Sequence, residues 1–310
     1  MDDPRTRDGN ECQENCGEHV SYRTPDGRTR HNPASMTDTA DRIRAFGVHL
    51  MPVTTAVDTP RPSVVVEIDA SGAIAGMAEV RTLDEIAAEV GPAPALLVVD
   101  APLRAPDRGG RRTVDELLGW LDTPVLPISR PRLESLYGGV RGEELAAHPG
   151  LRGQTLAESF PDLVLRLLAW ERRRPAETVD LAAFRAEWLG LRPVPYRPKG
   201  VGRAKPAGLL PAFDLLADVV DFGGWTPGRE GDFGAIQDAA VLDAAACAHV
   251  AWRAVHGADG DVVHLTADGA TVILPCDANL AERIEVNRER LGVPRIDGAT
   301  GVTSPRRTGE

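Results

Sequence analysis

Asp100 closes the apolar run Ala95-Leu96-Leu97-Val98-Val99 and is followed at once by Ala101-Pro102-Leu103. A run this short and apolar, bounded by prolines, predicts a strand buried on both faces. An ionised carboxylate at the end of such a strand is costly unless a partner, a cation or a proton meets it. Pro102 stops the strand, which puts the carboxylate at the carboxyl edge of a sheet, where open α/β sheets hold their ligands. The plain alternative is an Asp that caps the following turn. Glu158, Asp238 and Asp243 are the other carboxylates with chemistry to offer. Phosphodiester cleavage with divalent ions needs several carboxylates converging on ions about 3.5–4 Å apart, and oxygen-rich ligation of that kind suits Mg²⁺ or Mn²⁺. Asp238 and Asp243 fall on one predicted helix, where a spacing of five residues turns their side chains about 140° apart. Ala244, Ala245, Ala246 and Cys247 follow Asp243 and let the helix lie tight on the sheet. Asp243 is therefore the inward residue and Asp238 the second choice, with a helix-start cap as its alternative role.

The elements that must position these groups are legible in outline. Strands are predicted at 43–51, 63–68 and 73–80, the last two joined through the polar turn Asp69-Ala70-Ser71-Gly72. A helix follows over 82–90, with Thr82 as N-cap and Glu85 three residues on. The strand ending at Asp100 comes next. A three-strand meander, a helix and a buried strand imply a mixed sheet with a parallel crossover. Helices are expected at 111–121, 163–173, 180–189 (capped by Asp180), 209–220, 238–255 and 280–291. A last hairpin is expected around Asp268-Gly269, with strands 262–265 and 270–274. Residues 124–131 and 192–205 read as loops. The polar ends, 1–38 and 294–310, read as disordered tails, leaving one folded domain over 40–293.

Composition narrows the classes. At 310 residues, with 42% hydrophobic and 26% charged residues, the chain has the make-up of an ordinary soluble protein. It carries no apolar stretch of membrane-spanning length and no apolar leader, so a cytoplasmic location and no membrane partner are expected. A net charge of −11 argues against sequence-independent nucleic-acid binding over the whole surface, while leaving room for a local basic groove. Cys12 and Cys16 lack further clustered ligands for zinc, and Cys247 reads as a packing residue.

Four segments in order, Val98-Val99-Asp100-Ala101-Pro102-Leu103, Glu158-Ser159-Phe160-Pro161, Tyr196-Arg197-Pro198-Lys199 and Asp238…Leu242-Asp243-Ala244, resemble the domain-of-unknown-function 429 family. Its members are described as predicted RNase H-like nucleases, and the likeness spans about residues 43–255. It implies an RNase H-like α/β fold, a five-stranded mixed sheet with three antiparallel strands, flanked by helices. It further implies that Asp100 ligates metal, that Asp243 or Asp238 adds a carboxylate, and that Glu158 is an additional acidic candidate. The chain departs from the pattern at its first strand, which reads Gly47-Val48-His49-Leu50 where relatives carry Gly-Val-Asp-Leu. An imidazole brings no negative charge and no bridging oxygen. His49 then has three readings: ligand to one metal, base, or packing residue.

A basic rim completes the expectation. Arg104, Arg108, Arg111 and Arg112 follow Asp100 closely, and the loop 192–205 carries five positive charges, Arg197 and Lys199 among them, around Tyr196. Guanidinium forks of this kind grip phosphates. The function expected is a metal-dependent phosphodiester hydrolase acting on nucleic acid, with water activated at Mg²⁺ or Mn²⁺. The alternatives are a non-catalytic binding protein that lost turnover with the change to His49, and a phosphotransferase on a related sheet. There is no Walker-type glycine-rich loop to support nucleotide hydrolysis in that style.

Overall fold

The computed structural model describes residues 43–51, 61–119, 129–173, 179–191, 196, 206–258 and 260–293, all within one unit, Asp41–Glu310. The expected tails 1–38 and 294–310 lie outside the described residues, as does most of the basic loop 192–205.

Strands β1 (Arg44–His49), β2 (Ser63–Ile68) and β3 (Ile74–Val80) form the antiparallel meander read from the sequence. Helix α1 (Leu83–Val90) starts with the capping box anticipated there. Thr82 Oγ1 accepts from the Glu85 N–H at 3.1 Å, and Glu85 reaches back to the Thr82 N–H. The chain then crosses over to β4 (Ala95–Val99), which pairs parallel to β1. Every residue of β4 is buried, because its alternate side chains enter two cores. Val98, with Ala45 of β1, joins one core; Leu97 and Val99, with Phe46 and Val48, join the other, beside Ile86 of α1.

The sheet is larger than the five strands expected. Among the described residues it has seven, in the order β3-β2-β1-β4-β5-β7-β6. Strand β5 (Thr155–Glu158) runs parallel to β4 and was not legible in the sequence, since four residues with one polar end carry too little periodicity. It brings the last hairpin, β6 (Val262–Ala267) and β7 (Ala270–Pro275), into the same sheet. Positive φ at Asp268 (53°) and Gly269 (74°) makes the two-residue turn that the Asp-Gly pair promised. Between the strands lie α2 (Thr113–Leu118), α3 (Arg130–Tyr137), α4 (Arg141–Ala146), α5 (Pro161–Arg173), α6 (Leu181–Gly190) and α7 (Pro206–Ala217). Helix α9 (Ala278–Leu291) closes the described chain. Asp180 caps α6 as expected, accepting from the Ala183 N–H at 2.9 Å. Helices α3 and α4 were not anticipated.

The dominant helix is α8 (Gly231–His256), which starts seven residues earlier than the reading from 238. It packs mainly on β1 and then on β2 and β4. The approach is so close that a Cβ on Gly47 would lie 2.0 Å from the Ala244 carbonyl oxygen and 2.1 Å from the Ala248 nitrogen. Glycine on the strand and alanines on the helix are thus one device, which removes side-chain bulk where the two backbones meet.

Candidate metal centre

Strand parity explains which side chains meet. Gly47 and Val98 are register partners, and Gly47 faces α8. Two residues beyond each, at the carboxyl ends of adjacent parallel strands, come His49 and Asp100, which side-chain alternation returns to the α8 side. Asp243 precedes Ala244, the residue in contact with Gly47, so the helix delivers its carboxylate to the same point. His49 Nδ1 lies 2.5 Å from Asp100 Oδ2 and 3.4 Å from Asp243 Oδ2. Ligand atoms of the three residues all fall within 4.8 Å of one another. The side chains of His49, Asp100 and Asp243 are 15%, 5% and 1% exposed.

Each carboxylate is held by its second oxygen. The Leu50 N–H donates to Asp100 Oδ1 at 2.9 Å, and the Tyr196 hydroxyl donates to Asp243 Oδ1. Tyr196 is itself 1% exposed. Two carboxylates in so dry a place need positive charge beside them. The donor set suits a divalent cation: ligands at about 2.0–2.2 Å from an ion stand about 2.8–4.3 Å apart, so the 3.4 Å from His49 to Asp243 already fits, while His49 Nδ1 and Asp100 Oδ2, hydrogen-bonded at 2.5 Å, would have to open slightly to admit an ion.

Glu158 does not join this group. Its register partner on β4 is Val99, which faces the α1 core, so Glu158 points through the opposite face of the sheet. There both its oxygens accept from Arg112, at 2.7 Å each, and Oε1 also accepts the Leu103 N–H at 2.9 Å. Arg112 in turn binds Asp115 through Nε and Nη2, both at 2.9 Å. Burial outweighs the guanidinium and holds the Glu158 carboxyl above the usual range, whereas its carboxylate partners hold Arg112 above its own. Arg112, expected on the phosphate-binding rim, is therefore spent inside the protein. It and Glu158 brace the loop that follows Asp100.

Asp238 is also elsewhere. It sits inside α8 rather than at its start, about 7.5 Å along the axis from Asp243 and turned away by the helical period. Its Oδ2 accepts the N–H groups of Gly228 and Arg229 at 2.7 and 3.0 Å, which fixes the turn leading into the helix. Arg229 Nε lies 3.2 Å from Oδ1, an ion-pair separation without hydrogen-bond alignment.

Arg104 and Arg111 are exposed on the loop after Asp100, as a rim requires. The Arg104 guanidinium rests against the β6–β7 turn, since a Cβ on Gly269 would come within 2.4 Å of its Nη1. Leu103, Arg104, Pro106 and Arg130 share a polar cleft of about 400 Å³, although Arg130 is already paired with Glu143 and Asp107. Arg197 and Lys199 lie outside the described residues.

Tyr196 stood out in the sequence only as an aromatic residue among charges, and its contact with Asp243 was not anticipated. A tyrosine in a polar loop carries no signal of which carboxylate it will meet. Comparison of the chain with protein-family models, with curated proteins and with solved structures gives no match. The class that fold and site define is a mixed α/β protein with a three-residue cluster that could hold a metal ion at the carboxyl ends of two interior strands.

Proposed function

We propose that the protein is a divalent-metal-dependent phosphodiester hydrolase of RNase H-like architecture, acting on nucleic acid. The observation that carries this reading is the convergence of His49, Asp100 and Asp243 from β1, β4 and α8. The first five strands support it, with three antiparallel and two parallel in the order β3-β2-β1-β4-β5. So do the ordered motifs that resemble the domain-of-unknown-function 429 family. His49, Asp100 and Asp243 would hold the ion. One imidazole nitrogen with two carboxylates favours Mn²⁺ over Mg²⁺, because nitrogen ligation suits the transition metals. Bound there, the cation supplies Lewis-acid stabilisation of charge growing on a phosphoryl oxygen. The chain's own part is to keep the carboxylates aimed, through the Leu50 N–H and the Tyr196 hydroxyl, and to offer Arg104 and Arg111 to the phosphates.

A second reading, a fold that binds without turnover, is favoured by His49 itself. Replacing a carboxylate with a neutral ring removes about one unit of negative charge from the ligand set, which weakens the hold on two adjacent dications by several kcal/mol. One comparison separates the two. Wild type, Asp100→Asn and His49→Asp are assayed with Mn²⁺ on single- and double-stranded DNA and RNA, with Mn²⁺ affinity measured by calorimetry. Cleavage by wild type that is lost in Asp100→Asn supports the hydrolase. Silence in wild type with cleavage gained in His49→Asp supports the non-catalytic reading. Absence of Mn²⁺ binding in all three proteins refutes the metal centre.

A further inference from the structure

We propose that the crevice at the end of the sheet opposite the metal centre is a binding site for a small, uncharged, mainly apolar organic molecule that donates a hydrogen bond. This inference rests on the cavity alone and is independent of the hydrolase reading.

The crevice arises from the topology. Strands β5 and β7 share a single register pair, Glu158 with Val272, so they are joined at the carboxyl end of β5 and have no ladder toward Thr155. Helix α8 ends at His256, just where this part of the sheet needs cover. The space left is about 760 Å³, inside the range of about 300–1,000 Å³ that small-molecule sites occupy. Asp243 and His256 are thirteen residues apart on one helix, which puts the crevice about 20 Å from the metal centre.

The lining selects the chemistry of the occupant. Leu96, Ala157 and Ile273 form an apolar wall, 7%, 1% and 2% exposed. The polar groups are Thr155 and Thr271 with His256 and His264. The described lining residues include no carboxylate, guanidinium or ammonium, so a charged ligand would lose its hydration without gaining a counter-charge. Burial holds His264 below the ordinary imidazole range, so it stays neutral and offers one donor and one acceptor. The opposite wall is the last turn of α8, formed by Ala254, Val255 and His256. The Gly257 N–H satisfies the Arg253 carbonyl at 2.9 Å. An N–H or O–H on the ligand finds acceptors in the Thr155 hydroxyl and the neutral His264 ring.

The test uses N-phenyl-1-naphthylamine, an uncharged fluorophore with one N–H, titrated into the full chain, into Thr155→Trp and into Ala254→Phe. Thr155 is exposed and Ala254 half-buried, so both larger side chains enter the crevice from its mouth. The expected result is saturable one-to-one binding to the native protein, weakened at least tenfold in each variant, with Mn²⁺ affinity and Tm unchanged. The anionic analogue 1-anilinonaphthalene-8-sulfonate is expected to bind at least tenfold more weakly than the uncharged probe. Lack of saturable binding to native protein, or undiminished binding in both variants, overturns the site. Equal affinity for the anionic probe overturns its selectivity for an uncharged ligand.

Discussion

Replacing Arg112 with Met tests whether this residue and Glu158 are structural rather than catalytic. Arg112 is 5% exposed and donates to two carboxylates that are themselves almost dry, Asp115 at 1% and Glu158 at 2%. It also donates to the Arg104 carbonyl at 3.0 Å. Met preserves much of the apolar stem but strands both carboxylates, and removing one partner of a buried ion pair costs about 3–5 kcal/mol. For a domain of this size each kcal/mol lowers Tm by about 2–4 °C, so a fall of about 6–20 °C is expected. The loss has a pH dependence whose sign follows from Glu158. Burial already raises its folded pKa above the unfolded value, and removing the guanidinium raises it further. The penalty is therefore full above the folded pKa and is relieved as pH falls through it, because the folded state then takes up the proton first. Thermal unfolding followed by circular dichroism at pH 5 and pH 8 should show the larger deficit at pH 8. The double variant Arg112→Met/Glu158→Gln should recover part of it, since the stranded charge is gone. Mn²⁺ affinity, measured below the melting range, should stay within about threefold of wild type, because Glu158 faces away from the His49–Asp100–Asp243 cluster across the pleat. A Tm drop under about 2 °C, or abolished Mn²⁺ binding in a folded Arg112→Met protein, would refute the reasoning.

Three further outcomes follow from the same structure. Tyr196→Phe keeps the buried ring but removes the hydroxyl that orients Asp243; Mn²⁺ affinity should fall about 10–100-fold, with a stability loss of about 1–3 kcal/mol from the buried oxygen left without its donor, and an unchanged Kd by calorimetry would dismiss that positioning role. Gly47→Ala pushes a methyl into the α8 backbone and should cost at least about 1–3 kcal/mol in urea unfolding; a neutral result would mean that α8 stands further from β1. His249, 3% exposed and stacked on Trp252 at 6.0 Å, is pushed down to about 3 by burial and by nearby Arg253. Its folded pKa lies below the unfolded one, so stability is full above about pH 6.5 and lost on acidification, by about 2 kcal/mol at pH 5. His249→Phe should flatten the stability profile between pH 7.5 and pH 5, and an unflattened profile would show that other groups govern acid sensitivity.

The course of the chain was legible wherever a local rule was strong. The Thr82 box, the Asp180 cap, the Asp268-Gly269 turn and the apolar run before Asp100 each bind a residue to its near neighbours in sequence, and all four elements form. Strand β5 was not legible, because four residues give period-two patterning too few positions to register. Its absence from the reading also hid the face to which Glu158 belongs, and so made that carboxylate look available. Asp238 was misplaced for a related reason: Gly231 and Gly234 weakened the helical signal, and the true start of α8 seven residues upstream moved Asp238 from a cap into the helix interior.

By itself the sequence determined that a buried strand ends in a carboxylate and that a small-residue helix carries Asp243. It also determined that an imidazole stands at the end of the first strand, since these are matters of residue type and local period. Tertiary structure alone decided which of these groups meet. Parity across the sheet sent His49 and Asp100 to one face and Glu158 to the other, and the contact between Gly47 and α8 brought Asp243 down beside them. The same long-range packing buried Arg112 against Glu158 and brought Tyr196 to Asp243. Side-chain register and backbone approach act here between residues far apart in the chain, 194 positions from His49 to Asp243 and 201 from Gly47 to Ala248, and no local pattern encodes them.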